Sequence, residues 1–482
     1  MGDRLAVSGL LRRQPQRWND GRKAADLLRE LIARGDLRAG DRVVPAAVAD
    51  AIGLSRVPVR EGIIALECEG FVVVEPWGAT RVTGLSSDMV RDHYEVTGPI
   101  LGLATRWAVE RARATTMAAL DQALRTSKVK AGPGATLEAF EAARTALLDA
   151  SGSSRARALL RVLPDLLVAG GLDPDHGMQS LTTRAPQTVR REALRGDADA
   201  AGAAMERFHA RLGVAVAALL EARGALSRPA ELLPWLARTA AAGSPLEEAP
   251  AGMAPVDGAP GRVAASLRPA SFASARTVGG ARVEALLRDR IIQRKIPPGS
   301  RIDQREIARL AQVSTTPLRE AMIVLERQGW ITIEPHRGAF VAPFSTRDVY
   351  DHYELYAVLF AFATRRLVEG ADPVVLAQLR RELEAAQGAP DAAVFEAANR
   401  QLVDLLVHEA GSRPLVVALR ATPEVMSGNF FERVPGSLDA HRAGYRRLVE
   451  ELERGYSDTI RTVWSEILRA DAAGVIVASE LD

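Results

Sequence analysis

A chain of 482 residues, 47% apolar and 25% charged, is too long for one hydrophobic core and has the composition of an ordinary soluble protein of several domains. Its net charge of +2 excludes a global field, so affinity for an anionic partner has to come from local patches. One cysteine, Cys68, excludes an internal disulfide and a cysteine-built zinc site, and no apolar run approaches the ~18 residues of a membrane span, so a cytoplasmic chain with no membrane partner is expected.

Residues 1–19 carry Arg4, Arg12, Arg13 and Arg17 with little apolar periodicity and read as a flexible basic tail. From Arg22, the spacing of Ala25, Leu28, Leu31 and Ile32 predicts a helix that Gly35 stops. A second short helix is predicted over 46–52. After the turn Gly53-Leu54-Ser55, with Ser55 placed to cap, a third helix runs from Arg56 to Glu69, and Pro58 is tolerated in its first turn. Two β-type runs, 71–75 and 80–83, flank Pro76-Trp77-Gly78-Ala79 and predict a hairpin. Three helices and a hairpin over 20–86 make a winged helix-turn-helix. In such a unit the N-terminal turn of the third helix can enter the major groove, where arginine bonds guanine and hydroxyls hold phosphates.

The same pattern returns 259 positions later. Gly40, Arg42, Ser55, Pro58, Arg60, Glu61, Leu66 and Gly70 recur as Gly299, Arg301, Ser314, Pro317, Arg319, Glu320, Leu325 and Gly329. A register held that long without gaps is duplication. It places a second winged helix-turn-helix at 281–345. Helical spacing fills 87–242 and 346–482, with Asp92-His93-Tyr94-Glu95 echoed by Asp351-His352-Tyr353-Glu354. Between the halves, 243–280 is rich in Pro, Ala and Gly and reads as a linker long enough to let the halves pair side by side. The fold class is therefore mainly α, in two tandem units, each a winged helix-turn-helix followed by an all-α bundle.

The runs Leu54 to Gly62 and Leu66 to Val72, with Val313 to Ala321 and His336 to Val341, resemble the DNA-binding domain of GntR-type bacterial transcription regulators. The helical stretches resemble, more loosely, the FCD effector domain of that family's FadR-like subgroup. The resemblance implies DNA contacts from Ser55, Arg56, Val57, Arg60 and wing Gly78 in the first copy. In the second it implies Arg305, Ser314, Thr315, Thr316, Arg319, His336, Arg337 and Gly338. Each head lacks something: Ala46 stands where Arg305 does, and Thr315 where Arg56 does.

The subgroup's effector domain commonly binds a divalent metal and a carboxylate. At its ligand positions this chain has Phe140, Arg144, Gln187 and Phe208, then Asn399, Val403, Tyr445 and Ile467, and the usual arginine of the first effector helix is replaced by Thr97 and Tyr356. His209, His408 and His441 lie off register. No metal and no cofactor are expected. A surviving effector pocket should be more apolar, around Thr97, Leu101, Phe140, Arg144 and Phe208 or Tyr356, Phe360, Asn399 and Tyr445, suited to an apolar small molecule; filling of the vacated cavity by these aromatics is an equal reading.

The function so implied is a nucleoid-associated regulator, a repressor, that binds a double-stranded DNA operator as a covalent pseudodimer, with further homodimerisation open. In the alternative, the first head is inactive and the protein is a scaffold for related regulators. No paired carboxylates, phosphate-binding glycine loop or Ser/His/Asp constellation argue for an enzyme.

Overall fold

The computed structural model describes residues 20–74, 79–129, 133–164, 166, 176–227, 278–292, 294–334, 337–342, 345–422, 430–454 and 459–478. The expected tail, nearly all of the linker, most of the first wing turn with Gly78, and His336 lie outside them. The described residues fall into two compact units, one holding both heads and the first helical domain, the other the second helical domain. Sequence symmetry had suggested one unit per half.

In the first head, α1 (Asp20–Arg34), α2 (Pro45–Ile52) and α3 (Arg56–Cys68) pack around Ala24, Ala25, Leu28, Val59, Ile63 and Leu66. Helices α1 and α3 approach closely because Gly62 has no side chain; a Cβ there would lie 2.6 Å from the Gly21 carbonyl oxygen. The wing is a three-stranded sheet rather than a bare hairpin: β1 (Arg42–Val43) joins β3 (Thr80–Val82), which pairs antiparallel with β2 (Val72–Val74).

Helix α4 (Ser87–Val129) is kinked at Ala112, whose φ of −146° and ψ of 47° are not helical. It packs with α5 (Pro133–Ser151), α6 (Ser154–Val162), α7 (His176–Arg195) and α8 (Ala198–Ala222). Helix α6 stops at Val162 because the residue before Pro164 is pushed out of helical geometry.

The second head repeats the first with α9 (Val278–Ile292), α10 (Gln304–Ala311), α11 (Thr315–Arg327) and the hairpin β4 (Ile331–Glu334) with β5 (Gly338–Val341). Its core gathers Val283, Leu287, Ile307, Leu318, Leu325, Trp330 and Val341. The second unit comprises α12 (Thr346–Gly370), α13 (Pro373–Gln387), α14 (Ala392–Ala410), α15 (Arg413–Ala421), α16 (Phe430–Arg433), α17 (Ser437–Arg454) and α18 (Ile460–Ala478). The centre of that unit is aromatic: Tyr356 stacks on Phe360, and Phe360 on Trp464, with ring centroids 5.6 and 5.0 Å apart.

The heads differ at one cap. Asp303 caps α10, its carboxylate accepting from the amides of Arg305 and Glu306 at 2.9 and 3.1 Å. Val44 holds the equivalent place before α2 with extended backbone, no side-chain bond and a partly exposed side chain. Val44→Asp should supply the missing acceptor and stabilise the first head by about 1 kcal/mol, a rise in its thermal unfolding midpoint that Asp303→Asn, a like-for-like cap, would not show.

Candidate nucleic-acid interface

Helices α3 and α11 start at equivalent serines, Ser55 and Ser314, both in the N-cap position with extended backbone. Neither side chain bonds a helix amide, so Ser55 does not cap as expected. Around them Arg56, Val57 and Arg60, and Thr315, Thr316 and Arg319, are exposed. Val57 is 52% exposed on a helix whose other face is core, which is unusual for a β-branched apolar residue and leaves a methyl-bearing surface free.

The two helices lie against each other. Near their starts Glu61 is in electrostatic range of Arg319, and burial pushes the Glu61 carboxyl up against that attraction. At their ends Arg327 Nη1 donates to Glu69 Oε1 at 2.6 Å. Both pairs have the same offset in sequence, so α3 and α11 run side by side in the same direction and present their N-terminal turns at one end. Packed helices are about 8–10 Å apart.

Glu69 is the centre of this contact. Its side chain is fully buried, and Arg29 donates to its Oε2 through Nε at 2.9 Å and Nη2 at 2.7 Å while Arg327 takes Oε1. Burial pulls the Arg29 guanidinium down, but Glu69 and Asp26 outweigh this and it sits above its ordinary value. Helix α6 adds further bonds: Arg155 Nη1 donates to the Gly329 carbonyl at 3.2 Å and its guanidinium lies 5.9 Å from the Trp330 ring. Sequence reasoning missed Glu69, Arg155 and Arg327 as a site, because no local pattern distinguishes a cross-head partner from a surface charge.

Elsewhere in the second head, Arg305 is exposed on the second residue of α10. Arg337 stands out from the wing, paired with Glu334 and 5.6 Å from the Phe340 ring. Gly338 has φ +106°, and a Cβ on it would lie 3.0 Å from Arg301 Nε, so the wing turn needs glycine both for its backbone and for the approach of that arginine. These residues and the α11 start are all accessible, as a groove-reading surface requires.

In the first helical domain Thr97, Leu101, Phe140 and Phe208 are buried. The Phe140 and Phe208 rings are 5.0 Å apart and His209 fills in beside them, 6.1 Å from Phe140. Thr97 donates to the His93 carbonyl, Arg144 pairs with Glu141, and Gln187 points outward. In the second unit Tyr356, Phe360, Asn399 and Tyr445 are buried together, and the Tyr445 hydroxyl donates to Asn399 Oδ1. This site is more polar than the sequence suggested. One helical turn from Tyr445 and Ile467, respectively, lie His441 and Asp471, both fully buried, with His441 Nε2 3.4 Å from Asp471 Oδ2 and the Ser437 hydroxyl donating to Asp471 Oδ1. Gly444 makes this possible, since a Cβ there would lie 2.2 Å from Ile467 Cγ1 and hold α17 off α18. Phe395 and Phe431 wall His441, with ring centroids 6.0 and 4.9 Å away.

Neither set of residues fits a divalent metal. Phenylalanine, valine and isoleucine offer no donor, Asn399 is engaged by Tyr445, and among the described residues no group of three or more His, Cys, Asp or Glu converges. Burial drives His441 down to about 3, so it is neutral at pH 7, and pushes Asp471 well up.

Two heads of this form, each with exposed polar residues at the start of its third helix, define the winged helix-turn-helix class of fold. Residues 21–82 and 280–341 match bacterial regulatory proteins of the gntR family, and 351–470 match the FCD domain, together over half of the chain. The chain belongs to the GntR family. It is 27% identical over 145 residues to an HTH-type transcriptional regulator, Rv0043c, of Mycobacterium tuberculosis, covering 30% of this chain and 59% of that one. It is 37% identical over 83 residues to the Nta operon transcriptional regulator of Aminobacter aminovorans, covering 17% and 40%. The chain thus spans well under two thirds of the length of these relatives. Among solved structures, E. coli McbR/YncC is similar with 22% identity and a TM-score of 0.31, over 42% of this chain and 98% of that one.

The buried acid gives a pH test. Asp471 has its folded value raised, so its favourable contribution is complete below about pH 3.8 and is lost as pH rises; His441 is depressed and acts oppositely, losing its contribution as pH falls from 6.5 towards 3. Asp471→Asn keeps the Ser437 acceptor and isolates the first effect. The variant should melt above wild type at pH 8, with the gap closing by pH 4.

Proposed function

We propose that this protein is a sequence-specific regulator of transcription, a repressor, whose two heads pair within one chain and read unlike, nearly contiguous half-sites of one double-stranded DNA operator. The observation that carries this reading is the parallel packing of α3 and α11. Two N-terminal turns about 10 Å apart cannot occupy major grooves a full turn, roughly 34–36 Å, apart. They fit one stretch of groove. Arg56 and Arg60 would contact one half and Thr315, Thr316 and Arg319 the other, with Arg305 and Arg337 on phosphates, so the operator is asymmetric.

Both helical domains are read as metal-free. The first is filled by Phe140, Phe208 and His209 and serves as a support for the second head. A small-molecule response belongs to the second, where Asn399, Tyr445 and the aromatic wall of α12 and α18 would take a largely apolar ligand with one or two polar groups.

A second reading has the first head as a binding partner only, favoured by Ala46 in place of an arginine and by the uncapped α2. Mobility shifts on operator fragments selected from random DNA separate the two. Arg60→Ala and Arg319→Ala should each weaken binding on the order of tenfold or more, each relaxing sequence preference in a different half of the site. If Arg319→Ala alone matters, the two-headed reading is wrong.

A further inference from the structure

The cross-head ion pair exists in one direction only. Helices α3 and α11 are related as two copies of one surface, so a contact from Arg327 to Glu69 implies a mirror contact between the residues 259 positions away from each, Cys68 and Gln328. That mirror contact carries no charge pair. Of the three possible pairings, only one then has a bridge. A first head against another first head sets Cys68 beside Glu69 twice, with no cation from the partner. A second head against another second head sets Arg327 beside Gln328 twice, with no anion. First against second gives one Arg327–Glu69 bridge. The other cross-head charge contact, Glu61 with Arg319, does not discriminate, because Arg60 and Glu320 supply the same charges to every pairing.

We infer that Glu69 and Arg327 are a pairing code: they select the first head of a chain as the partner of a second head and disfavour like-with-like association between chains. This rests on the pseudodimer reading above and specifies what enforces it. The bridge lies where a code is effective, with the Glu69 side chain fully buried and that of Arg327 only 15% exposed. An arginine buried against a glutamine would be left without its counter-charge, and a glutamate against a thiol would keep only Arg29 of its own head, which is a cost against the wrong partner as much as a gain with the right one. The first helical domain closes over the same spot. Arg327 Nη1 also donates to the Arg161 carbonyl at 3.3 Å, and Arg155 holds Gly329 beside it; the second helical domain has Pro414 at the position of Arg155.

Within each head the coded position also has an internal role, and the two copies show that either residue can fill it. Arg29 bonds Glu69 in the first head, and Arg288 bonds Gln328 at 3.0 Å in the second. Exchanging the two residues, Glu69→Gln with Gln328→Glu, therefore gives each head an arrangement the other already uses and leaves net charge unchanged. It reverses the code. The pairing within a chain falls from one bridge to none, and second head with second head rises from none to two.

Sedimentation equilibrium of the full chain tests this. Wild type is expected as a single-chain species at micromolar concentration. The exchange variant should form chain dimers with a dimerisation constant raised on the order of tenfold or more, an increase that 0.5 M salt reduces only in part because the bridge is buried and that Arg327→Gln abolishes. An exchange variant that folds, by its melting curve, and stays a single chain overturns the code while leaving the pseudodimer intact. A wild type that is itself a chain dimer overturns the pseudodimer first. A double-mutant cycle on Glu69→Gln and Arg327→Gln provides a reading that does not depend on association. The melting shifts should be strongly non-additive, and additive shifts overturn the code.

Discussion

A carboxylate with no access to water and two arginines on its oxygens holds much of the first unit together. Glu69 ends α3, and Arg29 ties it to α1 of the same head while Arg327 ties it to the other head. Removing a carboxylate from water costs several kcal/mol, and this arrangement offsets that cost only because both oxygens are bonded and the arginines are themselves nearly buried. The consequence is a joint that is either complete or costly. Partial opening would leave a buried anion with one cation, which disfavours separating the two heads at this joint.

Everything proposed for DNA follows from how that joint orients the recognition surfaces. Because the bridge sits at the C-terminal ends of α3 and α11 and Glu61 meets Arg319 near the other end, the helices are parallel, and Ser55 to Arg60 and Ser314 to Arg319 face the same way. The exposed residues differ between the two starts while the buried ones, Val59 with Leu318, Ile63 with Met322 and Leu66 with Leu325, keep their character. Among the exposed positions Arg56 and Val57 become Thr315 and Thr316, a change of chemistry, whereas the buried changes stay apolar, as packing requires.

The two helical domains have taken different routes from the family's ligand positions. In the first, rings fill the space, with Phe140 packed on Phe208 and His209 beside them. In the second, the polar groups have moved one turn along α17 and α18 to His441 and Asp471, and Tyr445 now bonds Asn399. A buried acid and imidazole whose charged forms burial disfavours are sensitive to anything that brings charge or water to them. The first domain has no such group at the corresponding place, since Thr182 and Leu212 stand 259 positions before His441 and Asp471.

The duplication, the three-helix heads, the wings and the residues at each recognition start were legible in the sequence because they depend on local signals: a glycine after a helix, a proline in a first turn, alternation in a strand, and a register repeated at one spacing. Helix ends were legible where a local stop exists, as at Gly35, while at Val162 the stop is set by Pro164, which pushes Leu163 out of helical geometry. The failed cap at Ser55 and the extra strand Arg42–Val43 depend on geometry that several segments set jointly. What only the tertiary structure decided is which charges meet. Glu69, Arg155 and Arg327 are widely separated in sequence and look like surface residues in any window, and His441 with Asp471 looks like two polar interruptions on amphipathic helices. Sequence determines which residues are available on each face by periodicity alone, but an ion pair depends on the distance between faces, and that distance is fixed by the packing of elements far apart in the chain.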